Sequence, residues 1–510
     1  MPSENNKRIA KNTIMLYIRQ ILILLVSLYT VRVVLDVLGI EDYGIYSVVG
    51  GIVSFFSFLS GTMASATQRF FSFSLGQNNF DKLNKTFSAN LFIYGTIAII
   101  AFILLETVGL WFVYEQLNVP TERFEAARWI FHFSVFTFIA TIFTSPFMAI
   151  IIAHEDMQIY AYVSIVEAIM KLGIVFTLMY LPWDKLELYG MLIFLVSVIT
   201  AVIYILICNR KYKECQFRHL YWDKYLLNEV VGFTGWTLFG QVTSVMRHQA
   251  VTILLNQIFN PMIVAAKSVA TNITNNINVF SNNFNVGLYP PIIKSYAVGD
   301  KNEMFKLIFR GSKITFFLIW IFALPLFLEM EVILHVWLKN PPPDAVLFTR
   351  LALIEVLINS ISTPIATAAR APGKMKMYEL TLGSIQVVIF IFSLIILILG
   401  APAYSVFIVA IVANLIMFVV RLLIVRSLIG IRLRLFYDKV AFPISKVCLF
   451  STLPAILIYW ILPKGFVFTC ISILLSIVVA CVNMFFLGLE KLERAKIQTI
   501  IEKKINHILK

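Results

Sequence analysis

Apolar runs of about 20 residues, the length that crosses a bilayer as a helix, recur along all 510 residues of the chain. One soluble core cannot bury so many full-length apolar segments. In lipid a backbone satisfies its polar groups only as helices or as a closed barrel, and runs this long select helices. The composition agrees: 59% of the residues are hydrophobic and 14% charged, with a mean hydropathy of +0.85, where soluble domains carry about 25% charged residues. The pattern predicts an all-α polytopic membrane protein with about fourteen spans, at 14–38, 45–75, 87–113, 126–153, 158–181, 188–208, 229–258, 261–293, 303–333, 347–370, 376–399, 403–425, 440–462 and 465–489. The first run exceeds the about 7–15 apolar residues of a cleavable signal and holds Arg19 and Arg32, so it reads as a span.

Alternate loops separate by charge. Those on the side of the N-terminus carry 29 lysines and arginines; the others carry four, Arg123, Lys185, Lys339 and Lys464. The positive-inside rule then predicts cytoplasmic N- and C-termini. It also accounts for the net charge of +14, so no nucleic-acid partner is expected. The longest outer loops, 114–125 and 334–346, leave no room for a catalytic domain, and no Walker A motif is present. The expectation is a non-enzyme driven by an ion gradient, the membrane potential or substrate consumption. The five cysteines (208, 215, 448, 470 and 481) show neither metal spacing nor a disulfide framework, so no metal or other cofactor is expected.

An internal repeat divides the chain. TSPFMAIIIAHEDMQIYA (144–161) matches STPIATAARAPGKMKMYE (362–379) at an offset of 218, with Pro146 on Pro364, Met157 on Met375 and Tyr160 on Tyr378. LGQNNFDKLNK (75–85) aligns loosely with VGDKNEMFKLI (298–308). Six spans separate the copies, which predicts a parallel six-helix repeat. The expected organisation is a six-helix bundle over 1–208, a cytoplasmic linker over 209–228, a second bundle over 229–428, two further spans over 429–489 and a basic tail over 490–510.

The segment ATNITNNINVFSNNFNVG (270–287) holds seven asparagines. On a helix turning 100° per residue, Ile273, Ile277, Phe280, Phe284 and Leu288 share a narrow arc. Asn272, Asn275, Asn276, Asn278, Asn282, Asn283 and Asn285 fill the remainder. Two or three amides could join helices; seven suggest a cavity holding water or a hydroxylated ligand. In the equivalent helix of the first half Gly50, Ser54, Ser57, Gly61, Ser65 and Gln68 recur every three or four residues and lead to Arg69. Thr237, Gln241, Ser244 and His248 follow the same spacing in span 229–258. Such stripes serve close packing equally well.

Ionisable residues inside spans are functional candidates by default. Arg247 lies near the centre of its span; Arg19 and Arg69 lie about two turns inside theirs, and Arg32 and Lys267 lie toward the outer ends. Arginine binds phosphate bidentately and keeps its charge, so together these residues suggest an anionic, phosphate-bearing substrate. Structural alternatives stand beside this: Arg32 with Asp36, a headgroup for Arg19 or Arg69, an acid for Arg247. Glu167 with Lys171, four residues apart, and Glu355 are either structural or protonation switches for ion coupling. Pro146, Pro364 and Pro325 interrupt helices where bending is permitted.

With these residues in place the chain resembles the Wzx-type O-antigen and polysaccharide flippases of the MOP (multidrug/oligosaccharidyl-lipid/polysaccharide) exporter superfamily. The resemblance rests on the early arginine of VRVVLDVLGIEDYGIYSVV (31–49), the paired Ser/Thr-Pro helices, YPPIIKSYAVGD (289–300) closing the eighth span, and the fourteen-span layout. It implies a V-shaped, MATE-like fold in a bacterial cytoplasmic membrane. It implies transfer of an undecaprenyl-diphosphate-linked oligosaccharide from the inner to the outer leaflet. A cationic cavity would be lined by the first helices of each half, a role falling here to Arg19, Arg32, Arg69 and Arg247, with Lys267 beside them. The glycan would meet Gln68, Gln241, Ser244, His248 and the asparagines. Asp36, Glu167, Lys171 and Glu355 are the candidates for coupling to an H+ or Na+ gradient. The implied partners are the lipid-linked oligosaccharide, membrane lipids, a polysaccharide polymerase and a chain-length regulator. The alternatives are an ion-coupled small-molecule exporter of the MATE type and a lipid II flippase.

Overall fold

A computed structural model of the chain describes residues 2–116, 120–215, 221–259, 261–338, 340–463, 465–491, 493–495 and 498, with side chains except at 2–10, 28, 31, 32, 35, 40, 41, 54, 116 and 261. The described residues are helical nearly throughout, without strands. In chain order the helices are α1 (Pro2–Phe55), α2 (Ser57–Gly76), α3 (Phe80–Leu104), α4 (Leu110–Gln116), α5 (Phe124–Ala153), α6 (Met157–Tyr180), α7 (Lys185–Lys211), α8 (Lys224–Ile258), α9 (Pro261–Ala297), α10 (Lys301–Leu338), α11 (Ala345–Arg370), α12 (Lys376–Ile398), α13 (Ser405–Ile429), α14 (Leu433–Phe436), α15 (Phe442–Ile461) and α16 (Phe466–Asn483). α1 is two helices meeting at Gly39, whose φ of 79° belongs to the left-handed region that glycine adopts without strain.

Among the described residues, ten helical segments are long and apolar enough to cross a membrane. The pair Asp42–Val53 and Ser57–Gly76, bent by 45°, raises the number to as many as eleven. α8 and α9, of 35 and 37 residues, have the length of a span. They fall outside that group because they carry Arg247, Lys267 and the asparagines.

The chain forms two compact units, residues 1–242 with 289–300, and residues 243–288 with 301–510. The division passes through α8 and α9. In the first unit α5 packs against α2 and α7, and α1 against α6. Phe71, Phe87, Phe147 and Ile150 form part of its core. Tyr212 and Cys215, from the segment after α7, are buried in the same cluster, and the Tyr212 hydroxyl donates to Asp156 at 2.6 Å. In the second unit α11 packs against α10 and α13, and α16 against α10 and α15. Its core includes Leu255, Ile319, Met330, Phe348 and Leu353.

The same turn recurs at the repeat. After α5, Glu155 has φ 64° and its N–H donates to Ile152 O at 2.9 Å; after α11, Gly373 has φ 78° and its N–H donates to Arg370 O at 3.0 Å. Both residues sit at the offset of 218. The turn after α2 matches the one after α9 at 221, with Asn78 (φ 53°) on Gly299 (φ 79°). The loose sequence alignment there is therefore slipped by two residues, drawn off the turn by its two identities, Gly76 on Gly299 and Asn79 on Asn302.

Gly76 ends α2 against the end of α9. A Cβ there would meet the Ala297 Cβ at 2.9 Å and the Lys294 Cα and O at 3.0 and 3.1 Å. Backbone cannot rotate away as a side chain can, so Gly76→Ala is expected to destabilise the protein by about 1–3 kcal/mol. Thermal unfolding of the purified protein would show a lowered Tm; an unchanged Tm would mean that the end of α9 is free to shift.

Candidate functional site

Asparagine is a weak helix former, so α9 depends on what its apolar arc buries. Ile277, Phe284 and Leu288 are buried, and Phe280 stacks on Phe322 with ring centroids 4.8 Å apart. That arc fixes the rotation of the helix and leaves four of the seven amides exposed. Asn272, Asn275, Asn276 and Asn282 are exposed, Asn278 and Asn285 half-buried and Asn283 buried. Asn276 Nδ2 donates to Asn272 O at 2.9 Å, which holds one amide along the helix.

Arg247, on α8, is 8% exposed. Its Nη2 lies 3.6 Å from Glu355 Oε1 on α11 and 2.8 Å from His248 Nε2. Its Nε is buried and has no hydrogen-bond partner among the described residues. Glu355 Oε1 also accepts from Asn414 Nδ2 on α13 at 2.9 Å. Lys267 Nζ, from α9, donates to His248 O at 3.0 Å and to the Thr252 hydroxyl. Four side chains singled out from the sequence, Arg247, His248, Lys267 and Glu355, thus form one cluster in the second unit. Thr252 and Asn414 complete it. Asn414 is an amide alone in SVFIVAIVANLIMFVV, and that isolation in an apolar helix was the available signal. Ser244 is half-buried one turn before Arg247.

The other candidates lie in the first unit. Arg69 is 3% exposed. Its guanidinium lies 4.5 and 5.0 Å from the Phe70 and Phe73 rings and its Nη1 3.7 Å from Glu229. Glu229, the first residue of a predicted span, drew no notice in the sequence. Arg19 is 8% exposed, its guanidinium 4.5 Å from the Tyr160 ring. Gln68 is buried, and Gln241 and Asp36 are exposed. Lys171 Nζ donates to Glu167 at 2.6 Å, with both side chains about a third or more exposed. The side chain of Arg32 lies outside the described residues. No group of three or more His, Cys, Asp or Glu side chains among the described residues could hold a metal ion.

Chemically, the cluster in the second unit offers a buried guanidinium with spare donors and an ammonium nearby, tethered to one carboxylate. The helix that supplies Lys267 also presents the exposed row of amides. Such groups bind an anion and hydroxyl groups respectively.

No family model matches the chain, and no curated protein matches it. Solved structures do. An outward-facing multidrug resistance MATE family transporter of the MOP superfamily aligns with a TM-score of 0.72 at 14% identity, covering 84% of this chain and 96% of that one. A MATE in the bent conformation aligns with a TM-score of 0.72 at 12% identity, covering 83% and 96%. A MOP superfamily transporter from Pyrococcus furiosus, described as having a binding pocket of reversed polarity that suggests a different function, aligns with a TM-score of 0.68 at 14% identity, covering 84% and 96%. The chain therefore has a MATE-like, all-helical polytopic membrane fold, and its structural neighbours are transporters.

Proposed function

We propose that the chain is a flippase that moves an undecaprenyl-diphosphate-linked oligosaccharide from the inner to the outer leaflet of a bacterial cytoplasmic membrane. The observation that carries this is the exposed asparagine face of α9 in a helix whose apolar arc is already buried. An amide left in hydrocarbon without partners costs several kcal/mol, so four exposed asparagines border water or a polar ligand. Amides both donate and accept, as sugar hydroxyls do. Arg247 and Lys267 supply the positive charge for the diphosphate. Arg69, held by Glu229 and two rings, contributes field rather than a free fork. The lipid tail stays in the bilayer while the protein alternates between inward and outward access, with both termini cytoplasmic. Glu355, paired with Arg247, is the leading candidate for coupling substrate binding to a proton or sodium ion, ahead of Asp36 and the Glu167–Lys171 pair. A polysaccharide polymerase and a chain-length regulator are the expected partners downstream.

The fold likeness favours one rival, a small-molecule exporter. The test is transfer of a diphosphate-polyprenol oligosaccharide in proteoliposomes, followed by accessibility to an impermeant glycan-oxidising reagent. Lipid II is included among the substrates. Wild type is expected to exceed empty liposomes, and Asn275→Leu/Asn282→Leu to lose transfer at least about tenfold while remaining folded. Full activity in that variant would remove the glycan role of the face. Efflux of small cations without glycan transfer, under imposed ion gradients, would establish the exporter instead.

A further inference from the structure

The second unit contains a cavity of about 760 Å³ at the end of α10, the end of α15 and the start of α16. Its volume falls within the about 300–1,000 Å³ of pockets for small organic ligands. The opposite end of α10 carries the basic residues Lys301, Lys306 and Arg310, and Lys439 precedes α15. The cavity end is acidic and aromatic, with Glu329, Glu331, Tyr459, Trp460 and Phe468 in its lining.

Glu329 is 5% exposed. Its one hydrogen bond among the described residues comes from the Thr469 hydroxyl at 3.2 Å, a neutral donor. Neither Glu329 nor Glu331 has a cationic partner among the described residues. A carboxylate buried this deeply requires pairing. His335, also in the lining, spends its Nδ1 on the main chain: that nitrogen lies 2.8 Å from Glu331 O, which can only accept from it. The two carboxylates are therefore left without a charged donor among the described residues. The aromatic rings add faces that attract cations, tryptophan most strongly.

We infer that this cavity binds an amphiphile bearing an ammonium group. The ammonium pairs with Glu329 beside the Trp460 ring, and the apolar part lies against Leu328, Val332 and Leu462. An aminophospholipid headgroup and a free alkylammonium share this chemistry. The rival is an ammonium from the chain itself: Lys464 follows Pro463 of the lining in the sequence and lies outside the described residues.

The test titrates the full chain in phosphatidylglycerol nanodiscs with decyltrimethylammonium, against empty nanodiscs, with decyl phosphate and decyl maltoside as controls. Saturable binding of the ammonium amphiphile alone is expected. Glu329→Gln is expected to weaken it at least about tenfold, and Trp460→Ala, at a side chain 80% exposed and so safe for folding, about threefold or more. Weaker binding in phosphatidylethanolamine nanodiscs would identify the lipid headgroup as the occupant; equal binding would identify the free cation. Equal affinity for all three amphiphiles, no saturable binding, unchanged binding in both variants, or binding seen only in Lys464→Gln would each overturn the inference.

Discussion

Arg247→Ala is expected to reduce transfer of lipid-linked oligosaccharide by about 100-fold or more in proteoliposomes. The guanidinium is nine-tenths buried, yet its pairing with Glu355 is long, at 3.6 Å, and its Nε has no partner among the described residues. It keeps donors in reserve, as a site for a diphosphate requires. Two charge-assisted hydrogen bonds contribute about 1.5–3 kcal/mol each, and each 1.4 kcal/mol is a factor of about ten. Arg247→Lys keeps the charge but loses the planar fork, so it should retain only part of the activity. Removal of the arginine also leaves Glu355 without its cation, and a loss of stability alone would imitate a loss of function. Tm measured beside transfer separates the two: Arg247→Ala/Glu355→Gln should recover the Tm lost in Arg247→Ala, and Arg247→Ala itself should lack transfer at temperatures well below its Tm, where it is folded. Wild-type transfer by folded Arg247→Ala would remove the residue from the substrate path.

Much of the architecture is visible in local pattern. Apolar runs mark the spans, and the interval 39–44 between two predicted spans contains Gly39, where α1 breaks. The bend at Phe56 left no such mark, since neither glycine nor proline occupies that position. The rotation of α9 was legible because asparagine and apolar residues separate cleanly on the helix. What the apolar arc would meet was not, since Phe322 comes from a different helix. Pairings across the chain were hidden for the same reason. Arg69 and Glu229 lie 160 positions apart and Arg247 and Glu355 more than 100 apart, so Glu229 alone reads as an ordinary charge near a helix end, and Glu355 as an acid inside a span with no partner indicated. Asn414 stayed unnoticed because one amide hardly alters the hydropathy of an apolar helix, although it is what orients Glu355. Periodicity records which face of a helix differs; it does not record the partner that the face will meet.

Glu493→Ala is expected to cause the largest loss of stability. Lys313 is 2% exposed on α10, where an ammonium without a partner is costly. Glu493 Oε2 accepts from Lys313 Nζ at 3.0 Å, and its Oε1 lies 2.7 Å from Arg310 Nε. The carboxylate also accepts from the Glu490 N–H at 2.9 Å. Removing it leaves Lys313 buried and uncompensated, a change that costs about 3–5 kcal/mol. Burial alone would raise the Glu493 pKa, but the Glu490 N–H, Lys313 and Arg310 together hold it below the usual value. The stabilisation is therefore complete above the unfolded carboxylate pKa of about 4.3, and it is lost as pH falls through the lower folded value. Thermal unfolding should show a markedly lower Tm for Glu493→Ala at pH 7, with the gap to wild type narrowing in strong acid. Lys313→Met/Glu493→Met removes both charges and should recover most of the loss, because an apolar replacement of a buried pair is often neutral. An unchanged Tm in Glu493→Ala would show that solvent, rather than residues 490–495, satisfies Lys313, and the segment after α16 would then have no anchoring role on α10.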